Sequence, residues 1–430
     1  MARTVFIIFL MLVFQDLLAQ DGNYTLSHYI CVAQTNSPLI KDYHNRIAIQ
    51  QEEPERLKAL HLHARLEMNG DLLFVPIVSR DGGKTSFKWN THDAIDYYGY
   101  DLGESSGHLH AGVTWTQPLL GRNTYNLAKE QIKINTDIAN YQMRLEAHHL
   151  QRAVTEQYLL CLLDKTQSDF ADTVSTLLST QKRIIEKMVE NGLSKQSDLH
   201  LLAIEQAANE ELRNSFEQSY HSHLIDLNIL CGITDTTNVA LSNMSLDYSL
   251  PLVTGQSFFT EQYRLDSLSA IASLHNFNVQ YQPRLDLFVN GGIQVGPFQN
   301  IYRHIGWSAG ITFSWLLSDG KQRQNKEKQT QKQLNTIHTY RNNANLQRNL
   351  RLKECLSELQ KYNESVAMLK KQLAEYNKVL NYYSKEMKAG QVSVLDYITV
   401  LRNKIQTNKD LFVALSNKQL VVAAYNYWNY

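Results

Sequence analysis

Two aspartates, Asp198 and Asp396, are the residues of this sequence whose type and spacing most suggest chemistry. Each stands six residues after a glycine, Gly192 or Gly390, at a point where a helical pattern breaks and then resumes. A carboxylate in the first turn of a helix can simply cap that helix, which is worth about 1 kcal/mol. Carboxylates from several chains brought close together instead repel one another and attract cations, which would form a charged gate. The sequence leaves both interpretations open for Asp198 and for the neighbouring Ser197.

Histidines suggest a second kind of chemistry, metal binding, but no site is completed in the sequence. The histidines that stand close together are His61/His63, His108/His110, His148/His149 and His221/His223. In a strand, His108 and His110 would face the same side, but no carboxylate or cysteine cluster accompanies any of these pairs. We therefore favour a polar lining over a metal site, and we expect no metal and no other cofactor.

The four cysteines, and the absence of catalytic motifs, narrow the function further. Cys31, Cys161, Cys231 and Cys355 lie far apart in helical patterns, so single buried thiols are expected rather than disulfides. The sequence contains no HExxH, GxSxG or P-loop pattern, which argues against an enzyme. The sequence has 42 lysine and arginine residues and 42 aspartate and glutamate residues, so it has no excess of positive charge for binding nucleic acid.

Long helices must position the two aspartates. From Leu352 to Met387 apolar residues recur at alternating steps of three and four, and no glycine or proline interrupts Lys321 to Ala389. A helix over that stretch would be roughly 100 Å long at 1.5 Å per residue. It can first stop at Gly390, after which the apolar pattern restarts at Val394, so a very long helical hairpin is predicted. A second hairpin is predicted in the first half, with a helix to about residue 190, a break at Asn191-Gly192 and a return helix over about 195–230.

Short alternating segments between the helices predict strands. Leu109, Ala111, Val113 and Trp115 alternate with polar or small residues, and similar runs occupy 285–295 and 305–315. Residues 71–79 are a further predicted strand, and 81–104 read as a long surface loop. Residues 25–66 look helical, with Pro54 expected to break the helix, and 259–281 form a shorter helix.

An internal repeat organises these elements. The segment Gly112–Thr116 lies 198 positions before Gly310–Ser314, and Gly192 and Asp198 lie the same 198 before Gly390 and Asp396. One offset therefore aligns strand ends with strand ends and helix turns with helix turns. We divide the chain into a signal peptide over 1–19, a first repeat over 20–232, an equatorial linker over 233–256 and a second repeat over 257–430.

The strands point to a membrane. Each has one apolar face and one polar or small face, as in a transmembrane barrel, although a soluble sandwich shows the same alternation. The direct run of these strands into very long helices favours the barrel. Four strands cannot close a barrel, because even small ones need about eight, so several copies must contribute. Three copies would give twelve strands, while two or four copies remain open on geometry alone.

These features together resemble the TolC-type family of outer-membrane efflux channels. The resemblance spans nearly the whole mature chain and includes the duplicated unit and the strands that lead into Gln117-Pro118-Leu119-Leu120-Gly121 and Trp315-Leu316-Leu317-Ser318-Asp319-Gly320. It also includes two turn segments, Gly192-Leu193-Ser194-Lys195-Gln196-Ser197-Asp198-Leu199 and Gly390-Gln391-Val392-Ser393-Val394-Leu395-Asp396-Tyr397. The fold implied is mainly helical, with hairpins forming a periplasmic α-barrel and four strands per chain contributing to a trimeric, twelve-stranded transmembrane β-barrel.

The resemblance implies the following expectations about site and partners. The turns would dock on a periplasmic membrane-fusion adaptor through Gly192, Leu193, Ser194, Ser197, Gly390, Gln391, Val392 and Ser393. The homotrimer would lie in the outer membrane of a Gram-negative cell, extend into the periplasm and serve an inner-membrane RND or ABC transporter. Asp198 and Asp396 would gate the pore, and the gate is favoured for Asp396 because it matches the family's constriction aspartate.

Two departures from the family pattern bear on that gate. The position nine residues after the second glycine is Thr399 instead of aspartate, and the basic residue two after that glycine is replaced by Val392. We therefore expect one carboxylate ring to be missing and the resting gate to be looser. Two other functions stay open, a periplasmic adaptor and a coiled-coil envelope scaffold without a pore; the sequence does not indicate the exported substrate.

Overall fold

A computed structural model describes residues 23–74, 77–81, 84–88, 107–248, 257–295, 301–303 and 305–430. The predicted signal peptide lies outside these residues. Seven α-helices occur in the described residues: α1 (Leu26–Asn36), α2 (Pro38–Leu62), α3 (Gly121–Glu190), α4 (Gln196–Cys231), α5 (Phe258–Asn278), α6 (Gln322–Lys388) and α7 (Val394–Trp428). The two predicted hairpins are therefore confirmed as α3–α4 and α6–α7, with arms of 70 and 36 residues and of 67 and 35 residues. None of these helices combines the length and the apolar run that crossing a bilayer requires.

The strands form one larger sheet and two small ones. They are β1 (Asn23–Tyr24), β2 (Arg65–Phe74), β3 (Ile77–Asp81), β4 (Lys84–Lys88), β5 (Gly107–Pro118), β6 (Ala240–Leu241), β7 (Arg284–Val295) and β8 (Ile305–Ser314). The larger sheet is antiparallel in the order β2-β5-β7-β8, which joins two strands from each predicted repeat. The strands β1 and β6 pair in parallel, and β3 and β4 form a hairpin.

The two faces of the larger sheet differ in polarity. Its register aligns Met68 with Val113 and Glu67 with Thr114, so apolar residues share one face and polar residues the other. The apolar face is exposed: Met68 is 83% exposed, Trp307 80% and Phe313 63%. A sandwich core would be covered, whereas nothing among the described residues of this chain covers these side chains.

Two predictions, one for the helix α2 and one for the strand that follows it, were wrong. Pro54 does not break α2, which runs through it from Pro38 to Leu62. A proline inside a helix removes one backbone hydrogen bond, and on an exposed helix water can satisfy the carbonyl that is freed. The strand expected at 71–79 begins earlier, at Arg65; β2 covers Arg65–Phe74 and β3 covers Ile77–Asp81. Pairing with β5 determines where β2 begins, because every residue from Arg65 to Phe74 lies opposite a residue of β5.

The loop expected over 81–104 is also interrupted, because β4 lies inside it and pairs with β3. Threonine, serine and phenylalanine at 85–87 suit a strand, but the flanking glycines and aspartates dominated the interpretation of the sequence. The remainder of that segment, 89–106, lies outside the described residues.

The chain divides into two compact units, and each takes segments from both predicted repeats. The first contains Met1–His44, Tyr141–Glu261 and Arg341–Tyr430, and the second contains Asn45–Asn140 and Gln262–Tyr340. The larger sheet, the part of α2 from Asn45 onward and the first turns of α3 and α6 belong to the second unit. Both helix turns belong to the first unit.

One core cluster of the first unit surrounds two buried tyrosines. Tyr29 and Tyr158 pack with Leu224 and Leu227, all of them at most 2% exposed. The Tyr158 hydroxyl lies 2.7 Å from the Ser242 carbonyl and 3.0 Å from the Tyr24 carbonyl, so it links β1 to the segment that follows β6. Burial raises the pKa of Tyr158 to about 12, which keeps the hydroxyl protonated and able to donate.

The cysteines match the prediction in three cases of four. Cys161, Cys231 and Cys355 are buried free thiols, and burial raises the pKa of Cys161 and of Cys231 to about 12. Cys31, however, is exposed, so the expectation of a buried thiol is wrong there. The helix α1 buries Tyr29 and Ala33, and Cys31 lies between them on the other side of the helix.

The end of α7 packs around His148, which predicts a dependence of stability on pH. The imidazole stacks on the rings of Tyr427 and Tyr430, with centroids 4.6 and 4.3 Å away, and its Nε2 lies 3.0 Å from the Tyr427 carbonyl. Burial, with help from the nearby His149 and Arg152, lowers the pKa of His148, although the carbonyl contact opposes this. The unfolded chain therefore binds a proton at higher pH than the folded chain does.

We expect this contribution to stability to be complete above the ordinary histidine pKa of about 6.5, and to be lost as the pH falls through the lower folded value. Urea unfolding measured at several pH values between 7.5 and 5 checks this. His148→Phe keeps an aromatic ring for stacking but does not titrate, so its unfolding free energy should fall less over that range. An equal fall in both proteins would contradict the prediction.

Candidate functional site at the two helix turns

The two turns have the same backbone structure, 198 residues apart. In the first, Gly192 has φ +70° and the Leu193 N–H donates to the Met188 carbonyl at 2.7 Å. In the second, Gly390 has φ +70° and the Gln391 N–H donates to the Glu386 carbonyl at 2.9 Å. This is the glycine-terminated end of a helix that satisfies its last carbonyls. A Cβ at either glycine would meet nothing within 4 Å, so the left-handed backbone alone requires glycine there.

The two aspartates take different parts in capping the helices that follow the turns. The Asp198 carboxylate accepts hydrogen bonds from the Ser194 hydroxyl at 2.8 Å and from the Lys195 N–H at 3.1 Å. The Ser393 hydroxyl donates to the Asp396 carboxylate at 2.6 Å and accepts from the Asp396 N–H at 3.1 Å. The aspartate therefore occupies the same position in both repeats, whereas the serine that donates to it stands four residues before it at Ser194 and three residues before it at Ser393. The Asp198 carboxylate therefore caps α4 directly, whereas the Ser393 hydroxyl caps α7 and the Asp396 carboxylate accepts a hydrogen bond from that hydroxyl.

The predicted docking residues line these turns. Gly192, Leu193, Ser197, Gly390, Gln391 and Ser393 are exposed, as is Asp396, whereas Ser194, Asp198 and Val392 are half-buried. The largest apolar side chains presented to solvent are Leu193, 66% exposed, and Leu395, 55% exposed. Leu395 was not among the sequence-based site residues, although its position one before Asp396 could have suggested it. Thr399, which stands in place of a second aspartate, donates its hydroxyl to the Leu395 carbonyl at 2.8 Å.

A shared core cluster supports both turns. It contains Ile185 and Leu202 from either side of the first turn, and Met387 and Val394 from either side of the second, all at most 4% exposed. Tyr397, 2% exposed, packs in the same cluster, and burial raises its pKa. The predicted site residues of the first turn and those of the second turn are therefore supported by the same hydrophobic cluster.

An ion pair that the sequence analysis missed joins the two hairpins above the turns. The Arg402 Nε on α7 lies 2.6 Å from Oε2 of Glu205 on α4. The Glu205 side chain is 8% exposed and the Arg402 side chain 58%. The partners are 197 residues apart, so no local pattern could have revealed the pair. A carboxylate so buried requires a compensating partner.

Arg402→Met should therefore lower the free energy of unfolding by about 1–2 kcal/mol, a value reduced for the exposure of the arginine. Arg351→Met is the control: its carboxylate partner Glu354 lies 2.8 Å away, with both side chains more than half exposed. That variant should lose less than about 0.5 kcal/mol. Adding Glu205→Gln to Arg402→Met should recover part of the loss, because it removes the uncompensated charge. Equal effects of the two arginine variants in urea unfolding would disprove the assignment.

The histidines are distributed among separate contacts. His110 Nδ1 lies 3.1 Å from Asp71 Oδ1, His221 bonds Asn238, and His223 lies 2.5 Å from Asp164. Desolvation raises the pKa of Asp164, and the hydrogen bond with His223 opposes that rise. Within the described ranges, no group of three or more histidine, cysteine or acidic side chains could hold a metal ion.

Comparison with known proteins gives structural matches only. No protein-family model matches the sequence, and no curated protein matches it significantly. The solved structure of the outer membrane protein VceC from Vibrio cholerae aligns with TM-score 0.70 and 12% identity, over 94% of this chain and 95% of that chain. CusC, in a study of folding and transmembrane channel formation, aligns with TM-score 0.67 and 13% identity, over 96% and 95%.

The MtrE outer membrane channel of Neisseria gonorrhoeae, in its open state, aligns with TM-score 0.65 and 12% identity, over 94% of this chain and 88% of that chain. At such identities the matches establish a fold and carry no residue-level equivalence. Each of the three covers at least 94% of this chain. This chain therefore has the TolC-type fold of the outer-membrane efflux channels.

Proposed function

We propose that this protein is the outer-membrane exit channel of a tripartite efflux or type I secretion system. The observation that carries the proposal is the larger sheet, whose apolar face is exposed while its other face is polar. A sheet with these faces suits a wall with lipid on one side and water on the other. The similarity to outer membrane channels over more than nine-tenths of the chain supports the same function.

The assembled channel is a homotrimer in the outer membrane of a Gram-negative cell. The sheet ends at β2 on one side and at β8 on the other, and unpaired strand edges in lipid would leave backbone groups without partners. Joining β8 of one copy to β2 of the next removes these edges. Three copies supply twelve strands, enough to close a barrel, and the long helices extend into the periplasm.

The two helix turns are the docking surface for a periplasmic membrane-fusion adaptor, which connects the channel to an inner-membrane RND or ABC transporter. Exposed Leu193 and Leu395 provide apolar contacts, and the glycine turns keep the backbone accessible. The residues predicted to contact the adaptor are Gly192, Leu193, Ser194, Ser197, Gly390, Gln391, Val392 and Ser393.

The gate consists of the carboxylates of Asp198 and Asp396, three of each in a trimer. Like charges at close range repel each other and attract cations, so the pore mouth prefers cations. With threonine at 399 and valine at 392, the turns have fewer charged groups for holding a closed state. The resting channel is therefore looser than one with a second carboxylate ring.

Planar-bilayer recordings of the purified protein test the function and the gate. The wild type should migrate as a heat-resistant trimer and conduct at rest with a preference for cations. Asp198→Asn with Asp396→Asn should reduce that preference, and both amide oxygens can still accept the hydrogen bonds that the carboxylates accept from Ser194, Lys195 and Ser393. A tightly closed wild type that Asp396→Ala leaves unchanged would disprove the gate, and a water-soluble single chain would disprove the channel.

Two alternative functions are less well supported. A periplasmic adaptor should have one hairpin flanked by compact β-domains, whereas the described residues of this chain form two hairpins, one four-stranded sheet and two small two-stranded sheets. A scaffold without a pore has no use for a sheet with an exposed apolar face. The absence of catalytic motifs in the sequence argues against an enzyme, and the structural relatives are channels.

A further inference from the structure

The two repeats align with two different offsets, one for each strand that a repeat contributes to the larger sheet. The second strands, β5 and β8, align at 198 positions, as do the long helices after them. The first strands, β2 and β7, align at 219 positions, where Arg-Leu-Glu-Met at 65–68 corresponds to Arg-Leu-Asp-Leu at 284–287. In both repeats the arginine that begins the first strand lies opposite a hydroxyl residue of the second strand, Thr116 or Ser314.

A side-chain hydrogen bond beside the sheet follows the same two offsets. Gln117 Nε2 donates to the Leu62 carbonyl at 2.8 Å, and Trp315 Nε1 donates to the Tyr281 carbonyl at 3.1 Å. The two donors are 198 residues apart and the two acceptors are 219 residues apart. The two repeats therefore pair their own strands in the same register, and equivalent residues occupy equivalent places in the sheet.

The pairing of β5 with β7 shows how one repeat meets the next. In this pairing Val113 lies opposite Gly291 and Thr114 lies opposite Asn290, whose Nδ2 donates to the Thr114 hydroxyl at 2.9 Å. The outer strands of the sheet, β8 and β2, are equivalent to β5 and β7, and each has a free edge among the described strands. When identical copies close a ring, β8 of one copy can meet β2 of the next as β5 meets β7.

Asp71 on β2 has an open side that this equivalence fills. Its equivalent, Asn290, has a neighbour on each side in the sheet, and on the β5 side that neighbour is Thr114. Asp71 has a neighbour on one side only, His110, whose Nδ1 lies 3.1 Å from Asp71 Oδ1. The Asp71 side chain is 63% exposed, and its Oδ2 forms no hydrogen bond with a described residue. The residue equivalent to Thr114 on the open side is Thr312 of another copy.

We propose that copies of this chain join along β8 and β2 in the register of the β5–β7 pairing, and that the Thr312 hydroxyl of one copy donates to the Asp71 carboxylate of the next. This rests on the proposed function only in requiring that identical copies close a barrel. On the apolar face the same register places three residues of β8 opposite three residues of β2 in the next copy: Ile311 opposite Leu72, Phe313 opposite Gly70 and Trp315 opposite Met68.

The apolar residues of this seam suit one another. Apart from the glycine, each of their side chains is more than half exposed in the single chain. Opposite residues of antiparallel strands lie close enough for their side chains to pack together. An aromatic ring such as that of Phe313 can cover the bare backbone of Gly70, which stabilises a glycine on an edge strand.

Disulfide formation between introduced cysteines tests the register in the full-length protein, in which Cys31→Ser first removes the exposed native thiol. Asp71→Cys with Thr312→Cys should oxidise to a covalently linked oligomer, because opposite residues of paired strands bring their Cα atoms within reach of a disulfide. Glu67→Cys with Thr312→Cys is the matched control. It lies on the same face of β2 but about 13 Å further along the strand, so it should stay uncrosslinked.

Removing the Thr312 hydroxyl gives an independent readout. Thr312→Val should speed dissociation of the oligomer in detergent by roughly tenfold, because every seam loses a hydrogen bond to a charged group. In an Asp71→Ala background the same substitution should have no further effect, since the acceptor is already absent. An equal effect of Thr312→Val with and without Asp71 would overturn the proposed bond.

A slip of two residues between β8 and β2 is the main competing register, because it keeps the apolar and polar faces aligned. It would place Asn69 opposite Thr312. Conducting oligomers that crosslink through Asn69→Cys with Thr312→Cys, and not through Asp71→Cys with Thr312→Cys, would overturn the proposed register and leave the channel function standing. A wild type that remains monomeric and does not conduct would overturn both.

Discussion

Gly292→Ala should prevent the larger sheet from keeping its present register, and Gly306→Ala should not. A Cβ at Gly292 would lie 2.4 Å from the Ala111 carbonyl oxygen and 2.5 Å from the Gly112 Cα, both of them backbone atoms that cannot turn aside. At Gly306, which is opposite Gly292 in the β7–β8 register, a Cβ would meet nothing within 4 Å. The same substitution therefore meets backbone on one strand and open space on the next.

We expect Gly292→Ala to cost about 3 kcal/mol or more, the upper range for overpacking, because strands β5 and β7 must separate. The yield of heat-resistant oligomer after refolding, together with the midpoint of urea unfolding, measures the effect. Gly306→Ala should change the free energy of unfolding only slightly, in either direction, as expected for alanine at an exposed strand position. Equal yields from both variants would show that β5 and β7 do not approach each other as closely as described.

Leu178→Ala should be the most damaging single truncation in the helical hairpins. Leu178 is 0% exposed and packs in the cluster that also contains Leu202, Leu380 and Leu401, one leucine from each of the other three hairpin arms. Removing its side chain leaves a cavity to which all four helices contribute. Buried leucine-to-alanine changes cost about 2–5 kcal/mol, and a site fixed by four long helices can collapse little.

Leu395→Ala is the control for this truncation, since the same atoms are removed from a side chain that is 55% exposed. It should change the free energy of unfolding by no more than about 0.5 kcal/mol. Urea unfolding followed by far-UV circular dichroism provides both values. If Leu178→Ala proved as mild as Leu395→Ala, the four helices would not share a packed core at this level.

The sequence predicts the helices and turns well because their causes are local. The three-four spacing from Leu352 to Met387 and the glycine at 390 each act within a few residues, so α6 and its end could be predicted without knowledge of the rest. The alternation at 109–115 likewise predicted β5. Pro54 and the hairpin β3–β4 were misjudged because pairing and solvation outweighed local preference there.

The amino-acid sequence by itself determined the long hairpins, the duplicated unit, the two glycine turns and the alternating faces of the strands. Each of these follows from periodicity or from backbone freedom at one residue. Only the tertiary structure decided the strand order β2-β5-β7-β8, the bond between Arg402 and Glu205, the packing of both turns on one cluster and the lack of space at Gly292. These features join residues far apart in the chain, and the contacts that fix them form only when separate helices and strands pack together.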